Sequence, residues 1–553
     1  GIDARTVQDY EFRSAETSNR GMGTSYAKNA VDKYTMFTLE NMLFYDKTFN
    51  DKHTLGVTLL QSIQEDKKEN VNVAMENLPA DNLKYYDLGS GLVTNTIGSS
   101  MIKWNMASFM GRINYNYLGR YLLTVSARYD GSSRLADGHK WVLFPSAALA
   151  WRINEESFMS STSGWLDNLK LRLGFGKTGN SAVDPYQTKG TLSLIRYPFD
   201  NGGTPTIGYA PNAMANSLLT WETTDQWNLG IDFGVLRGRI NGTIDLYMQN
   251  THDLLLKRQL PVVSGFPDVL SNVGKTRNKG IEVSINSMNI NSKDFQWTTD
   301  LMLSSNKEEI VELYNGKNDD IGSKWFIGQP VNVHYDYRKV GIWQNTESDL
   351  AEMAKFAANG TEFAPGDIKI QDVNGDYKIT DADKQILGNP RPKLIASMVN
   401  TFNYKGFDLS VFLYASFGAM LYNDIYALEH CGRNGGVKVD YWTPNNPTNA
   451  YPRPSIDEER PIYITSTYYE KADFLRVKTM TLGYTLPKTL TNKFLVEKLR
   501  VYFTAQNPFI FTNYTGIDPE AAKVNSAGNP ETNGSGFGTP SVSSWIFGIN
   551  LTL

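Results

Sequence analysis

FMGRINYNYLGRYLLTVSARYD, running from Phe109 to Asp130, already spells out a hairpin with two unlike faces. Gly111, Ile113, Tyr115 and Tyr117 share one parity, and beyond Leu118-Gly119-Arg120 the residues Tyr121, Leu123, Val125, Ala127 and Tyr129 continue it. Arg112, Asn114, Asn116, Thr124, Ser126, Arg128 and Asp130 take the other parity. Successive side chains on a strand point to opposite faces, so one face is greasy and the other wet. The division recurs in Trp227, Leu229, Ile231 and Phe233 against Asn228 and Asp232, and in Ile281, Val283 and Ile285 against Glu282. It recurs again in Phe295, Trp297, Leu301 and Leu303 against Gln296 and Asp300.

A large soluble β-sandwich alternates in the same way. Connection lengths separate the two architectures. Short links are expected near 118–120, 234–238, 288–294 and 404–406. Long stretches rich in Gly, Asn, Pro and Tyr lie near 177–223, 305–333, 344–392, 416–471 and 507–542. Tight turns at one end and long loops at the other describe a transmembrane antiparallel β-barrel with long extracellular loops. Arg112, Arg128, Lys170 and Arg172 all keep to the wet parity, as they must if a basic residue facing lipid at mid-bilayer costs about 2–4 kcal/mol. Arg112, Arg128, Asp232, Glu282 and Asp300 are therefore expected to face the lumen, and Tyr115, Leu123, Ile231, Val283 and Leu301 to face lipid.

Bulk properties exclude other classes. The chain has 553 residues, 41% of them hydrophobic, and a mean hydropathy of −0.38, with no apolar run long enough for a helical span. A formal net charge of −4 gives no basic footprint for nucleic acid. The single cysteine, Cys431, forms no internal disulfide, and His430 beside it supplies no zinc spacing. The pattern marks no boundary within 1–553, which reads as one domain. Gly1-Ile2-Asp3-Ala4-Arg5 is not a secretory signal.

NVGKTRNKGIEV (Asn272 to Val283), DIKIQDVNGDYKITDADKQILGNPRPK (Asp367 to Lys393), FNYKGFDLSVFL (Phe402 to Leu413), FLRVKTMTLGYTLP (Phe474 to Pro487), LRVYFTAQNPF (Leu499 to Phe509) and the closing WIFGINLTL follow one another in an order that resembles the SusC/RagA family of TonB-dependent outer-membrane transporters. RYDGSSRL (Arg128 to Leu135) and KLRLGFGKTGN (Lys170 to Asn180) fit the same pattern. The resemblance implies a multi-pass protein of the cell outer membrane, a 22-stranded barrel around an N-terminal plug. It also implies active import of oligosaccharides or peptides driven through TonB, a SusD-like surface lipoprotein as lid, and a dimer of transporter–lipoprotein pairs. A passive diffusion porin and a surface adhesin barrel are the alternatives.

About sixteen strands can be counted, the first near Tyr34 to Asp46 or slightly earlier, and nothing resembles a plug or a TonB box. The sequence is thus expected to be the C-terminal part of a barrel, with a plug and roughly six strands before Gly1, one of them pairing with Trp545 to Leu553. Trp545, Phe547, Ile549, Leu551 and Leu553 form an apolar face of the kind that closes the family's last strand.

Three motifs carry possible chemistry. Gly174-Phe175-Gly176-Lys177-Thr178-Gly179 matches G-x-G-x-x-G, but a nucleotide site needs a helix directly after it, and Asn180 to Pro185 reads as loop. Asp372, Asn374, Asp376, the Lys378 carbonyl, Thr380 and Asp383 stand at the 1, 3, 5, 7, 9 and 12 positions of an EF-hand-type loop and make Ca2+ the candidate ligand. Tyr377 departs from that pattern where the turn glycine belongs, and Asp383 where a bidentate Glu belongs; the alternative is an ion-free Asx-turn loop. Loop aromatics Tyr85, Tyr86, Trp325, Trp442, Tyr468 and Tyr469 could stack on a substrate or pack among the loops. His53, His139, His252, His334 and His430 are scattered, no G-x-S-x-G elbow or H-E-x-x-H is present, and no enzymatic activity is expected.

Overall fold

Three tight turns are each made by two consecutive residues of positive φ: Asn50 and Asp51 (51° and 55°), Leu118 and Gly119 (57° and 70°), and Lys405 and Gly406 (44° and 92°). That pair of conformations is a type I′ turn, whose twist matches the strands it joins. The computed structural model describes residues 1–16, 23–197, 206–423, 438–455, 460–494, 496–520 and 541–552. His430, Cys431 and Leu553 lie outside them.

The sixteen strands of the main sheet, each hydrogen-bonded to the next, are Ile2–Arg13, Tyr26–Phe49, His53–Glu76, Val93–Tyr117, Tyr121–Ser132, Trp141–Arg152, Leu166–Asn180, Glu222–Val235, Ile240–His252, Lys275–Asn291, Phe295–Glu312, Leu394–Tyr404, Phe407–Phe417, Phe474–Thr485, Lys498–Thr512 and Ser544–Thr552. The count agrees with the sequence reading, but the first strand begins at Ile2 and not near Tyr34. Asp3, Arg5, Asp9, Glu11 and Arg13 share one parity there and Ile2, Ala4, Tyr10 and Phe12 the other, with the uncharged Thr6 and Gln8 interrupting the apolar face. Among the described residues the last strand pairs with Lys498–Thr512 and the first with Tyr26–Phe49.

Connections alternate broadly as expected. Short links at 50–52, 118–120, 236–239, 292–294 and 405–406 alternate along the chain with longer ones, but 153–165 and 486–497, at the short-link positions, are themselves longer than 133–140 at a long-loop position. The stretches 305–333 and 344–392, read as separate loops, become one connection over 313–393, since 305–312 belong to the strand Phe295–Glu312 and His334–Asp336 and Lys339–Ile342 pair locally with Gln385–Gly388 and Ile368–Ile370 instead of joining the main sheet. No helix among the described residues is long and apolar enough to cross a membrane.

The chain divides into two compact units. In the unit holding residues 1–152, registry confirms the two-faced hairpin. Tyr115 pairs with Leu123, Ile113 with Val125, and Gly111 with Ala127, while Arg112 pairs with Ser126 and Asn114 with Thr124 on the opposite face. Aromatic rings bracket the greasy face. Tyr121 stacks between Tyr117 and Trp151 at 6.3 and 6.4 Å, and Trp141 lies 4.9 Å from Tyr129 and 6.3 Å from Phe109. From Tyr121 to Tyr129 is about the 9–11 residues that a tilted strand needs to cross a bilayer. Val93–Tyr117 and its two predecessors are 24 or 25 residues long, roughly 80 Å at strand rise, so they continue far past the second aromatic row.

In the unit holding residues 276–553, Phe407, Tyr484 and Val501 continue an apolar row onto Ile549, and Leu409, Leu482 and Phe503 onto Phe547. On the other face Asp408 takes Arg500 in a bidentate pair, with Arg500 Nη2 at 2.5 Å. Asp300 likewise sits opposite in parity to Leu301, whose cross-strand partner is Met398.

Candidate substrate-facing loop module

Residues 313–393, 438–455 and 460–473 build a folded module with a core of its own. Ile342, Ile368, Ile370, Trp442, Tyr451, Ile464 and Tyr468 are all buried in one cluster. The helix Glu347–Ala358 is capped by Thr346, whose hydroxyl accepts from the Asp349 amide at 3.3 Å, and its buried Met353 and Phe356 pack on Trp343. Lys369 secures the helix. Its Nζ lies 4.0 Å from the centre of the Trp343 ring and donates to Asp349 at 3.2 Å and Glu352 at 2.5 Å. Gly366 (φ +92°) cannot be replaced, because a Cβ there would come within 2.5 Å of the Trp442 ring.

Several polar groups inside the module are matched, although the buried Trp343 Nε1 has no hydrogen-bond acceptor among the described residues. Trp442 Nε1 donates to Gln344 at 2.8 Å, and the Ile342 amide to Asn449 at 2.9 Å. Lys339 donates to the carbonyls of Asn449 and Ala450, both at 2.9 Å. Burial without a carboxylate lowers its ammonium to about 8. Tyr469 donates to Asp336 at 3.0 Å, and burial raises its phenol well above the ordinary value. A cavity of about 260 Å3 lies between Phe363, Asp367, Arg453, Ile462 and Tyr463, with Arg453 paired to Asp367 at 2.8 Å.

Of the loop aromatics, Trp442 and Tyr468 are core residues and unavailable for stacking. Their partners lie up to a hundred residues away in sequence, so no local pattern announces the core. Tyr86 is 78% exposed and packs on Tyr85, which stacks on Tyr10 at 4.8 Å. The G-x-G-x-x-G stretch lies in the strand Leu166–Asn180, with no helix to hold a pyrophosphate. Gly179 serves packing instead, since a Cβ there would run into the Phe144 ring.

The Asp372–Asp383 loop is closed by its own amides. Asp372 accepts from Gly375 at 2.7 Å and Tyr377 at 2.8 Å, Asn374 from Asp376 at 3.1 Å, and Asp376 from Lys378 at 2.8 Å. Asp383 is fully buried and accepts from Val373 at 2.9 Å and Thr380 at 2.8 Å. Tyr377 adopts φ +57°, the left-handed turn for which an EF-hand uses glycine. Among the described residues no three His, Cys, Asp or Glu side chains converge to hold a metal ion.

A sequence model described as TonB dependent receptor-like, beta-barrel matches residues 3–507. The chain belongs to that family. It is a family of outer-membrane receptors and not of enzymes, so the long-loop end of this receptor chain is the cell-surface end. TonB-dependent receptor P3 of Formosa agariphila is 32% identical over 571 residues, spanning all of this chain and 56% of that protein. TonB-dependent receptor SusC of Bacteroides thetaiotaomicron is 35% identical over 434 residues, 75% of this chain and 41% of that protein. The receptor chain spans about half the length of the curated relatives it matches. The solved structure of the RagAB peptide transporter superposes on all of this chain and 59% of its own with a TM-score of 0.82 at 21% identity, which shows a shared fold.

Proposed function

We propose that residues 1–553 are the barrel portion of an importer of SusC/RagA type that takes up oligosaccharides or peptides through the outer membrane, energised through TonB. A SusD-like surface lipoprotein caps the long-loop end, and two such pairs associate. The observation that carries this reading is the cored loop module. A passive pore needs only a constriction, and an adhesin needs no short-turn end matched to a barrel, whereas a cored module offers a shaped surface on which a cargo and a lid can both bind. The peptide arm draws support from the likeness to the RagAB peptide transporter, and the glycan arm from the SusC relative. In the native organism, deleting the full-length gene is expected to abolish growth on the cargo. Uncoupling the inner-membrane proton gradient should stop uptake in the wild type. Uptake that continues without that gradient would establish the porin instead.

For the loop Asp372–Asp383 the proposed ligand is Ca2+, bound through lone pairs that the amide bonds leave open, since each carboxylate oxygen carries two. Affinity in the 10⁻⁴–10⁻³ M range, that of extracellular calcium modules, is expected. At about 10 mM Ca2+ the apparent melting temperature should rise by a few degrees over an EGTA-treated sample. An unchanged melting temperature in the wild type, matched by Asp372→Asn, would leave the loop as an ion-free Asx turn.

A further inference from the structure

We propose that the strand Val93–Tyr117 offers an open edge that receives an extended peptide as an added β-strand. This rests on the importer reading above and narrows its substrate class to peptides. The strand pairs with His53–Glu76 along its whole length, but with Tyr121–Ser132 only from Met106 onward. From Asn105 back to Thr96 its second edge meets no strand among the described residues.

The direction of the free groups follows from the contacts just below. The Asn105 amide donates to Ser133 Oγ at 2.8 Å, its carbonyl accepts from the Ser133 amide at 2.9 Å, and the Lys103 amide donates to the Tyr186 hydroxyl at 3.1 Å. Alternate residues point alike, so the N–H and C=O of Met101, Ser99 and Ile97 face the same open side. Ile97 and Met101 are 71% and 55% exposed.

Edges of this length are normally blunted by charge, proline or a bulge. Val93 to Ile102, VTNTIGSSMI, carries neither charge nor proline, and the one register shift, opposite Ala74 and Met75, lies at the tip and leaves Thr96 to Asn105 regular. The edge also has a terminus. Where it ends, a cavity of about 570 Å3 opens among Lys103, Trp104, Lys140, Tyr186 and Lys189. Its acidic member, Asp137, is already paired with Lys140 at 2.5 Å, and Lys103 pairs outward with Glu65 at 2.8 Å. With Lys140 and Lys189 beside Trp104 and Tyr186 in its lining, the pocket wall is cationic and aromatic.

An acidic side chain or terminus of the peptide fits that pocket, while the backbone ladder binds the rest without regard to sequence. An oligosaccharide has no alternating amide and carbonyl groups to satisfy such an edge. The edge lies beyond the outer aromatic row, on the cell-surface side, where cargo arrives.

Binding of a fluorescein-labelled threonine/valine peptide of about ten residues with one terminal aspartate, measured by anisotropy on the full-length receptor, tests the proposal. Ser99→Pro removes only an outward amide and leaves the ladder to His53–Glu76 intact; it is expected to weaken binding about tenfold. Ser99→Ala, which keeps the amide, should bind within about twofold. On the wild-type protein, N-methylation of alternate peptide residues should abolish binding while methylation of the intervening ones does not. Equal binding by Ser99→Pro, or indifference to the methylation register, overturns strand addition even if TonB-driven uptake persists. A strand of the lipoprotein or of a second copy captured by a cross-linker at Ile97→Cys, with the peptide unable to displace it, overturns it as well.

Discussion

Val125→Arg in the full-length receptor is expected to lose about 2–4 kcal/mol of stability, whereas Thr124→Arg, one residue away, loses less than about 1 kcal/mol. Val125 lies midway between the two aromatic rows, paired with Ile113 and with Ala147 on the greasy face. Thr124 pairs with Asn114 and Ala148 and points the other way. An arginine at 125 must leave its charge in hydrocarbon or bend four carbons' length toward an interface. At 124 it meets water and the hydroxyl- and amide-lined face. Urea unfolding from lipid vesicles, followed by the gel shift of the folded barrel, measures both. A larger loss at 124 than at 125 would show that the faces have been read the wrong way round, and equal losses would show that neither faces lipid.

Asp518→Ala is expected to cost about 3–5 kcal/mol, because it strands a buried cation. The side chains of Arg476 and Asp518 are only 4% and 3% exposed and meet at 2.5 Å. Burial by itself raises the Asp518 carboxyl, but donation from Ser541, from the Glu520 amide and from Arg476 outweighs it and holds the group below the ordinary carboxylate range. Its contribution is therefore complete above the unfolded value near 4 and fades as pH falls through the lower folded value. Glu520, 3.4 Å from Arg476, also holds Lys478 at 2.5 Å and cannot serve both cations fully. Arg476→Met combined with Asp518→Leu should recover most of the loss. A single Asp518→Ala variant as stable as wild type in urea would refute the assignment of this pair as the anchor of the last long loop.

The membrane-crossing part of the fold was legible because lipid imposes a period of two. Tyr121, Leu123, Val125, Ala127 and Tyr129 have no alternative arrangement. The same logic fails where strands leave the bilayer. The far halves of Tyr26–Phe49 and His53–Glu76 carry charges on both parities, Glu65-Asp66-Lys67-Lys68-Glu69 among them, since water lies on either side. The loop module was not legible at all. Ile342, Trp442 and Ile464 are brought together by the return of two strands between them, and nothing in their immediate neighbours encodes that meeting. In the Asp372–Asp383 loop, read as a Ca2+ candidate with an ion-free Asx turn as the alternative, Tyr377 adopts the left-handed conformation despite its side chain, with its amide donating to Asp372.

The core formed by Ile342, Ile368, Trp442 and Ile464 also fixes an order of events during biogenesis. Its two halves flank the hairpin Leu394–Tyr404 and Phe407–Phe417, so a chain arriving from the periplasm has to carry both across the membrane before their apolar side chains can meet. The surface module is therefore completed after the hairpin has inserted. The burial of Trp343 and Trp442 belongs to that later packing step.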